Sequence, residues 1–166
     1  LRGFDLREHE LKLLDVKLDG LGGIPVSGYF ARPVGAAPKS LPAFLNLHGA
    51  GVRSAYRQDR RAAGGVLALD INAHGLENGK PEEFYKELNA GKLKGYPFFG
   101  AESVETFYFR GMFLRVVRAL DFLKSQPEWD GKTLIAFGSS QGGAQALVAA
   151  GLDPQVSLCV AQVPAM

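Results

Sequence analysis

Three short apolar runs separated by long connections constrain the fold of this chain most. They are "AFLNL" (43–47), "GVLALDI" (65–71) and "TLIAF" (133–137), each bounded by glycine or turn residues. Such runs are typical of strands buried on both faces, and the long connections favour helical crossovers between parallel strands. A fourth run, "VSLCVAQV", lies at 156–163. We therefore predict a mostly parallel sheet.

The rest of the chain predicts a hairpin and two main helices. Apolar and polar residues alternate from Leu11 to Pro33 around the turn-rich "DGLGG" (19–23), which is typical of an antiparallel β-hairpin. Apolar residues recur at helical spacing over 104–125 and again over about 141–151. The order of elements predicts an α/β fold with helices on both faces of the sheet.

Composition excludes several classes of protein. The 166 residues are 46% hydrophobic and 22% charged, as expected for one soluble domain. No apolar run approaches the roughly 18 residues of a membrane helix, and a net charge of +2 on scattered residues argues against a nucleic-acid partner. A single cysteine, Cys159, excludes an internal disulfide. The compartment stays open between cytoplasmic and exported, because the sequence starts at Leu1 and a leader could have been removed.

The segment "GSSQGG" (138–143) contains a Gly-x-Ser-x-Gly pattern centred on Ser140. The pattern is short, but a nucleophile elbow also requires a preceding strand and a helix that starts at once, and both are predicted here. Gly138 and Gly142 have no side chains to clash across the sharp turn. Ser140 is therefore the candidate nucleophile; the alternative is a structural strand-to-helix loop.

The segment "LNLHGAG" (45–51) ends the first long parallel strand with small residues. At this edge of the sheet, the backbone N–H groups of Ala50 and of Gln141, at the helix N-terminus, are candidates for an oxyanion hole. The alternative is a plain turn with a hydrogen-bonded histidine.

A histidine base and its acid partner are expected after a serine nucleophile of this kind. After Ser140 the sequence contains one acidic residue, Asp153, and no histidine. Asp153, next to Pro154, is predicted to be a turn or cap residue away from the elbow. We therefore expect residues 1–166 to be the N-terminal portion of one larger domain whose C-terminal part is absent.

Two upstream histidines, His48 and His74, follow predicted parallel strands at the edge where α/β sheets bind ligands, whereas His9 lies outside that region. To act as base, a ring nitrogen would have to lie within about 3 Å of the Ser140 hydroxyl and be held by a carboxylate. Asp70 is a weak candidate for that carboxylate and more plausibly caps a turn. The spacing of these residues matches no metal-ligand pattern, so no metal is predicted.

An insertion of about thirty residues, near 75–105, leaves from the same edge of the sheet. It contains "KPEEFYKEL" (80–88), which predicts a short helix, and a cluster formed by Tyr96, Phe98 and Phe99. These aromatic side chains could stack on a sugar or shield an acyl pocket. Alternatively they pack on the insertion itself or against another subunit, which would make the protein a homo-oligomer.

Several longer motifs surround the elbow. They are Arg-Gly at 110–111, "RALDFL" (118–123), "PEWDGKTL" (127–134), "GSSQGGAQAL" (138–147) and "LDPQV" (152–156), with "LNLHGAG" and "LALDINAHG" (67–75) upstream. With these motifs, the sequence from about residue 43 resembles the acetyl xylan esterase and cephalosporin C deacetylase family of α/β-hydrolases. Only the first forty residues match loosely.

The resemblance implies a serine esterase that removes short acyl groups, usually acetyl, from sugars or related small molecules, without metal or cofactor. It implies Ser140 as nucleophile, with the N–H groups of Gln141 and Ala50 as the oxyanion hole. Many members carry an aromatic residue where Ala50 stands, which leaves the shape of the acyl pocket open. The alternatives are a peptidase or lactone hydrolase with the same elbow, and a non-catalytic domain that binds sugar or a partner.

Overall fold

The computed structural model describes residues 10–165, so His9 lies outside the described residues. The strands are β1 (Leu11–Leu18), β2 (Val26–Pro33), β3 (Leu41–Leu47), β4 (Leu67–Ile71), β5 (Trp129–Ser139) and β6 (Leu158–Gln162). The helices are α1 (Asp59–Ala63), α2 (Glu82–Ala90), α3 (Tyr108–Lys124) and α4 (Gln141–Leu152), with 3₁₀ turns at Leu21–Gly23 and Tyr96–Phe98. Over this described range, no helix has both the length and the apolar composition needed to cross a membrane.

The strands form one sheet in the order β1-β2-β4-β3-β5-β6. β3 pairs in parallel with β4 and β5, and β5 pairs in parallel with β6. β1 and β2 form the antiparallel hairpin, and β2 joins β4 in antiparallel register. This pairing confirms the predicted mostly parallel sheet with an N-terminal hairpin. The apolar runs of β3 and β4 are buried along most of their length, as expected for central strands of such a sheet.

Helices cover both faces of this sheet, as predicted. On one face, apolar side chains of α3 such as Leu120 and Leu123 pack with Ala146 of α4 and with the inward side chains of the strands. On the other face, Ala62 of the short helix α1 packs against alanines of β2 and β4. This layering leaves the carboxyl ends of β3, β4 and β5 at one edge of the sheet, where the candidate residues lie.

Helix α3 begins at Tyr108, not near Val104 as its apolar spacing predicts. Polar side chains just before Tyr108 form hydrogen bonds with the nearby backbone and stabilise turns there. The Ser103 hydroxyl accepts a hydrogen bond from the Glu105 N–H at 3.1 Å, and the Thr106 hydroxyl donates to the Gly100 carbonyl at 3.0 Å. Because these short polar side chains bind the nearby backbone in a turn, the helix starts four residues later.

The connection from β4 to α3 forms the insertion. Tyr85 of α2 and Tyr96 of the 3₁₀ turn are buried, whereas Phe98 is 80% exposed. Tyr96 joins a small cluster with Ala73 and with Phe109 of α3. The insertion is therefore attached to the body of the domain near the carboxyl end of β4.

Candidate active site

Ser140 is the single residue between the end of β5 and the start of α4. Its backbone has φ 54° and ψ −124°, a conformation that residues with side chains rarely adopt. Such a conformation costs roughly 1–3 kcal/mol and persists only when the surrounding structure imposes it. The side chain is half-buried. The chain therefore makes the sharp strand-to-helix turn that the sequence predicts, with the serine at its apex.

Three glycines allow this turn to pack closely. A Cβ on Gly138 would lie 2.1 Å from the carbonyl oxygen of Gly142, and a Cβ on Gly142 would lie 2.0 Å from that of Leu47. A Cβ on Gly143 would lie 2.9 Å from the carbonyl oxygen of Gln162 in β6. Since real Cβ atoms do not approach other atoms this closely, side chains at these positions would push α4 away from β3 and β6.

Backbone hydrogen bonds fix the turn from both sides. The Ser140 N–H donates to the Gln162 carbonyl at 2.9 Å, and the Ser140 carbonyl accepts from the N–H groups of Ala144 and Ala165, each at 3.1 Å. The residues at and beyond the end of β6 thus hold the backbone of Ser140. Its hydroxyl has no hydrogen-bond partner among the side chains and backbone of residues 10–165.

The loop after β3 lies beside the serine. A Cβ on Gly49 would lie 3.3 Å from the Ser139 carbonyl oxygen and 3.8 Å from the Cβ of Ser140. No hydrogen bond joins the N–H of Ala50, or that of Gln141, to any other group in the described part of the chain. The Gln141 N–H also lies at the N-terminus of α4, where the helix dipole favours negative charge. Both donors are therefore available to an oxyanion.

Both ring nitrogens of His48 form hydrogen bonds with backbone groups. Its Nδ1 lies 2.7 Å from the Gly49 carbonyl oxygen, and its Nε2 accepts the Ala73 N–H at 3.2 Å. A carbonyl can only accept, so Nδ1 carries the proton in this arrangement. Burial lowers the pKa of His48 to about 4, and the ring is neutral near pH 7. With both nitrogens engaged, His48 shapes the loop and does not contact the serine hydroxyl.

His74 is engaged in the same way. Its Nε2 donates to the Gly51 carbonyl at 3.2 Å, and its Nδ1 lies 2.9 Å from the Tyr108 hydroxyl, which donates to it. Burial lowers the pKa of His74 to about 4. The structure thus brings both upstream histidines to the edge of the site, but neither forms a hydrogen bond with Ser140 within residues 10–165.

Asp70 lies within β4 and binds the segment at 56–58, just before α1. It accepts hydrogen bonds from the Tyr56 N–H at 3.1 Å, from the Gln58 amide at 3.2 Å and from the Asn46 amide. Burial raises the pKa of Asp70 to about 7, although the Asn46 and Gln58 amides and Arg53 favour the charged form. The predicted turn cap is therefore wrong in detail: Asp70 ties a neighbouring segment to β4, and does not orient His74.

Asp153 lies at the opposite end of α4 from the serine. It occupies the C-cap position, as predicted, and its carboxylate binds the Lys124 ammonium at 2.6 Å and the Gln155 N–H at 2.9 Å. Over the described residues, no group of three or more His, Cys, Asp or Glu side chains is placed to hold a metal ion. Ser140 and the N–H groups of Gln141 and Ala50, unengaged within residues 10–165, remain the candidate site residues.

Of the three aromatic residues predicted to line the site, only Tyr96 reaches its polar groups. The Tyr96 hydroxyl donates to Gln141 Oε1 at 2.6 Å and accepts the Gly51 N–H at 3.4 Å. Phe99 is 38% exposed and meets the Tyr108 ring edge-on, while the side chain of Phe98 lies in solvent. The sequence predicted a lining ring at Tyr96, but no pattern pointed to the role of its hydroxyl.

Comparisons with known proteins identify relatives of this chain. A sequence profile of the family described as acetyl xylan esterase (AXE1) matches residues 1–166. The acetyl esterase Axe7A of Xylanibacter ruminicola is 36% identical over 159 residues, which are 93% of this chain and 35% of that protein.

Two solved structures share the fold. The acetyl xylan esterase from Paenibacillus sp. R4 has a TM-score of 0.79 and 30% identity, covering 97% of this chain and 51% of its own. Acetyl xylan esterase 1 from Thermoanaerobacterium sp. JW/SL YS485 has a TM-score of 0.72 at 19% identity, covering 95% of this chain and 53% of its own. The chain thus spans about a third of the curated relative and about half of each solved relative. Because the family profile covers the sequence from end to end, the chain belongs to the acetyl xylan esterase family of α/β-hydrolases.

Proposed function

We propose that this chain carries the nucleophile and the oxyanion hole of a serine carboxylesterase. Its substrates would be acetyl or other short acyl esters of carbohydrates or related small molecules. The observation that carries the proposal is the strained backbone of Ser140, set beside the two unused N–H groups of Gln141 and Ala50. The names of the relatives, an acetyl esterase and two acetyl xylan esterases, support the choice of acyl group.

The reaction passes through an acyl-enzyme. The Ser140 oxygen attacks the ester carbonyl while a general base takes its proton, and the Gln141 and Ala50 N–H groups hold the oxyanion of the tetrahedral intermediate. Collapse of the intermediate breaks the ester bond, and the departing alcohol receives the proton. Water, deprotonated by the same base, then attacks the acyl group, and a second collapse releases the carboxylic acid and restores Ser140. The proposed steps need no metal or cofactor.

Neither histidine of the described residues is placed to act as the general base. His48 and His74 are neutral with both ring nitrogens engaged, and the sequence has no histidine after Ser140. We therefore propose that the base and its acid partner lie outside these 166 residues, and that this chain alone shows little turnover. The greater length of the relatives is consistent with that arrangement.

Substitution of the serine tests the proposal. In the full protein, Ser140→Ala is expected to abolish hydrolysis of 4-nitrophenyl acetate and of acetylated xylooligosaccharides. Ser139→Ala is the matched control, because Ser139 is the adjacent half-buried residue at the end of β5. A fluorophosphonate probe should label wild type and Ser139→Ala, but not Ser140→Ala. Full esterase activity in Ser140→Ala would exclude Ser140 as nucleophile.

The engagement of both histidines favours a second candidate, a non-catalytic domain that binds sugar or a partner. The two functions differ in what the full protein does with an acetylated xylooligosaccharide. The esterase releases acetate, which can be measured directly. The binding domain would retain the intact ligand in equilibrium dialysis, without acetate release or probe labelling.

A further inference from the structure

We propose that Tyr96, from the insertion, is a positioning residue for the oxyanion hole because its hydroxyl ties Gly51 to Gln141. The inference rests on the proposed function, since it concerns the same two backbone donors. The Tyr96 hydroxyl donates its only proton to Gln141 Oε1 at 2.6 Å, and its oxygen accepts the Gly51 N–H at 3.4 Å. One hydroxyl thus bridges the start of α4 and the loop after β3.

Both ends of this bridge adjoin a proposed oxyanion donor. Gln141 supplies one N–H itself, and Gly51 directly follows Ala50, which supplies the other. Gly51 has φ 122°, a conformation that residues other than glycine rarely adopt. Because glycine has no side chain, packing of a side chain cannot fix the loop at this point. The hydrogen bond from Gly51 to Tyr96 is therefore a direct restraint on the position of the loop.

Gly51 is restrained from its other side as well. Its carbonyl accepts a hydrogen bond from His74 Nε2 at 3.2 Å, so one peptide group is held by His74 and its neighbour by Tyr96. The two rings meet edge to face, with centroids 4.7 Å apart. Since burial keeps His74 neutral, this arrangement has the same protonation state from neutral pH down to about pH 5.

The Gln141 side chain depends on the same hydroxyl. Gln141 is buried, and Tyr96 is the one hydrogen-bond partner of its amide among residues 10–165. The amide nitrogen of Gln141 is also buried and has no partner in that part of the chain. Removing the Tyr96 hydroxyl would thus leave the whole amide without a described partner, and we expect the residue at the N-terminus of α4 to shift.

The Tyr96 ring is fixed by its surroundings. It is only 4% exposed and lies between the rings of Tyr108, at 5.6 Å, and Phe109, at 6.3 Å, both at the start of α3. The His74 ring is a third neighbour, so the side chain has little freedom to move its hydroxyl. The insertion therefore supplies a rigid contact to the loop after β3 and to the start of α4.

The test compares Tyr96→Phe with Tyr85→Phe in the full protein. Tyr85 is 6% exposed, and its hydroxyl donates to the Glu77 carbonyl at 2.7 Å and accepts the Lys80 N–H at 3.3 Å, both within the insertion. It therefore controls for loss of a buried tyrosine hydroxyl. Two experiments are made: steady-state kinetics, which give kcat and KM for 4-nitrophenyl acetate, and NMR, which gives the hydrogen-exchange rate of the Gly51 amide.

We expect Tyr96→Phe to lower kcat about ten-fold with KM changed less than two-fold, since the loss concerns a restraint on transition-state donors. The Gly51 amide should exchange faster in this variant, while Tyr85→Phe matches wild type in both measurements. Wild-type kcat in Tyr96→Phe would overturn the proposal. If the wild-type protein itself hydrolyses no ester, the proposed function fails. The proposed restraint by Tyr96 can still be tested in that case, because unchanged hydrogen exchange at Gly51 in Tyr96→Phe would overturn it independently.

Discussion

A Cβ atom added to Gly142 would lie 2.0 Å from the carbonyl oxygen of Leu47 and 2.8 Å from that of His48. The start of α4 therefore packs directly on the backbone at the end of β3, and this contact sets the distance between the serine turn and the loop after β3. The neighbouring atoms are backbone, so they cannot move aside as the end of a flexible side chain could.

We predict that Gly142→Ala lowers the free energy of unfolding by about 3 kcal/mol, because overpacking of this kind displaces the backbone. Gly151→Ala is the matched control in the same helix: apart from its chain neighbours and the backbone of α4, no atom of residues 10–165 lies within 4 Å of the added Cβ. It should raise the free energy of unfolding by up to about 1 kcal/mol through better helix propensity. Urea unfolding measures both, and equal effects of the two substitutions would contradict the packing argument.

The strain at Ser140 gives a second prediction. With φ 54° and ψ −124°, the backbone of Ser140 suits glycine better than a residue with a Cβ. Ser140→Gly should therefore be about 1 kcal/mol more stable to urea than Ser140→Ala, after allowing for the greater freedom of glycine in the unfolded chain. Both variants lack the hydroxyl and should be inactive, so the comparison isolates the backbone. If Ser140→Gly were instead less stable than Ser140→Ala by about 0.4–1 kcal/mol, the effect expected from the freedom of glycine alone, the turn would store no strain.

The parts of the fold that could be predicted from the sequence are those encoded locally. The runs that became β3 and β4 are mostly apolar, because both faces of a central parallel strand are buried, and the run of β5 is apolar although its residues alternate between buried and half-buried. The turn at Ser140 could be predicted for a similar reason, since close packing allows only glycine at positions 138 and 142. The start of α3 was misplaced because Ser103 and Thr106 favour turns by hydrogen bonds that apolar spacing does not register.

The roles of the polar residues could not be predicted, because they depend on partners far away in sequence. His74 binds Gly51, 23 positions before it, and Tyr96 binds Gln141, 45 positions after it. The sequence pattern correctly places each residue near the edge formed by the carboxyl ends of the parallel strands. It does not show with which group each nitrogen or hydroxyl forms a hydrogen bond. His48 and His74 could thus be considered as bases until the structure showed that their nitrogens bind the backbone.

Three buried titratable groups give opposing dependences of stability on pH. Burial lowers the pKa of His48 and His74 from 6.5 to about 4, so the stability they contribute is present above pH 6.5 and is lost as the pH falls toward 4. Burial raises the pKa of Asp70 from 3.8 to about 7, so its contribution is present at low pH and is lost as the pH rises through 7. Between pH 4 and 6.5, Asp70 therefore offsets part of the histidine effect.

Asp70→Asn should remove that offset. We expect its free energy of unfolding to fall by about 2 kcal/mol more than that of wild type between pH 6.5 and 4.5. The difference in slope is the measured quantity, so a constant change in stability from the altered hydrogen bonds to Asn46 and Gln58 does not affect the test. Parallel urea-unfolding curves for the two proteins across this range would show that Asp70 is ionised throughout it.

Asn72 connects the two loops that flank the candidate site. It is fully buried: its amide nitrogen donates to the Arg53 carbonyl at 2.6 Å, and its amide oxygen accepts the N–H groups of His74 and Leu76 at 2.9 and 3.2 Å. The three hydrogen bonds therefore need both a donor and an acceptor, and the amide of Asn72 provides both. An aspartate of the same shape keeps the acceptor but places a second oxygen against the Arg53 carbonyl.

Asn72→Asp should therefore lower the free energy of unfolding by about 3 kcal/mol at pH 7, because a buried charge faces a carbonyl oxygen. Asn89→Asp, an exposed position in α2, is the matched control and should change it by less than about 0.5 kcal/mol. The loss in Asn72→Asp should shrink as the pH falls toward 5, since a protonated carboxyl can donate to the Arg53 carbonyl as the amide does. Urea unfolding of both variants at pH 7 and pH 5 measures this. A loss that is the same at pH 7 and at pH 5 would contradict the argument, because it would show that the buried charge and the missing donor do not account for the loss.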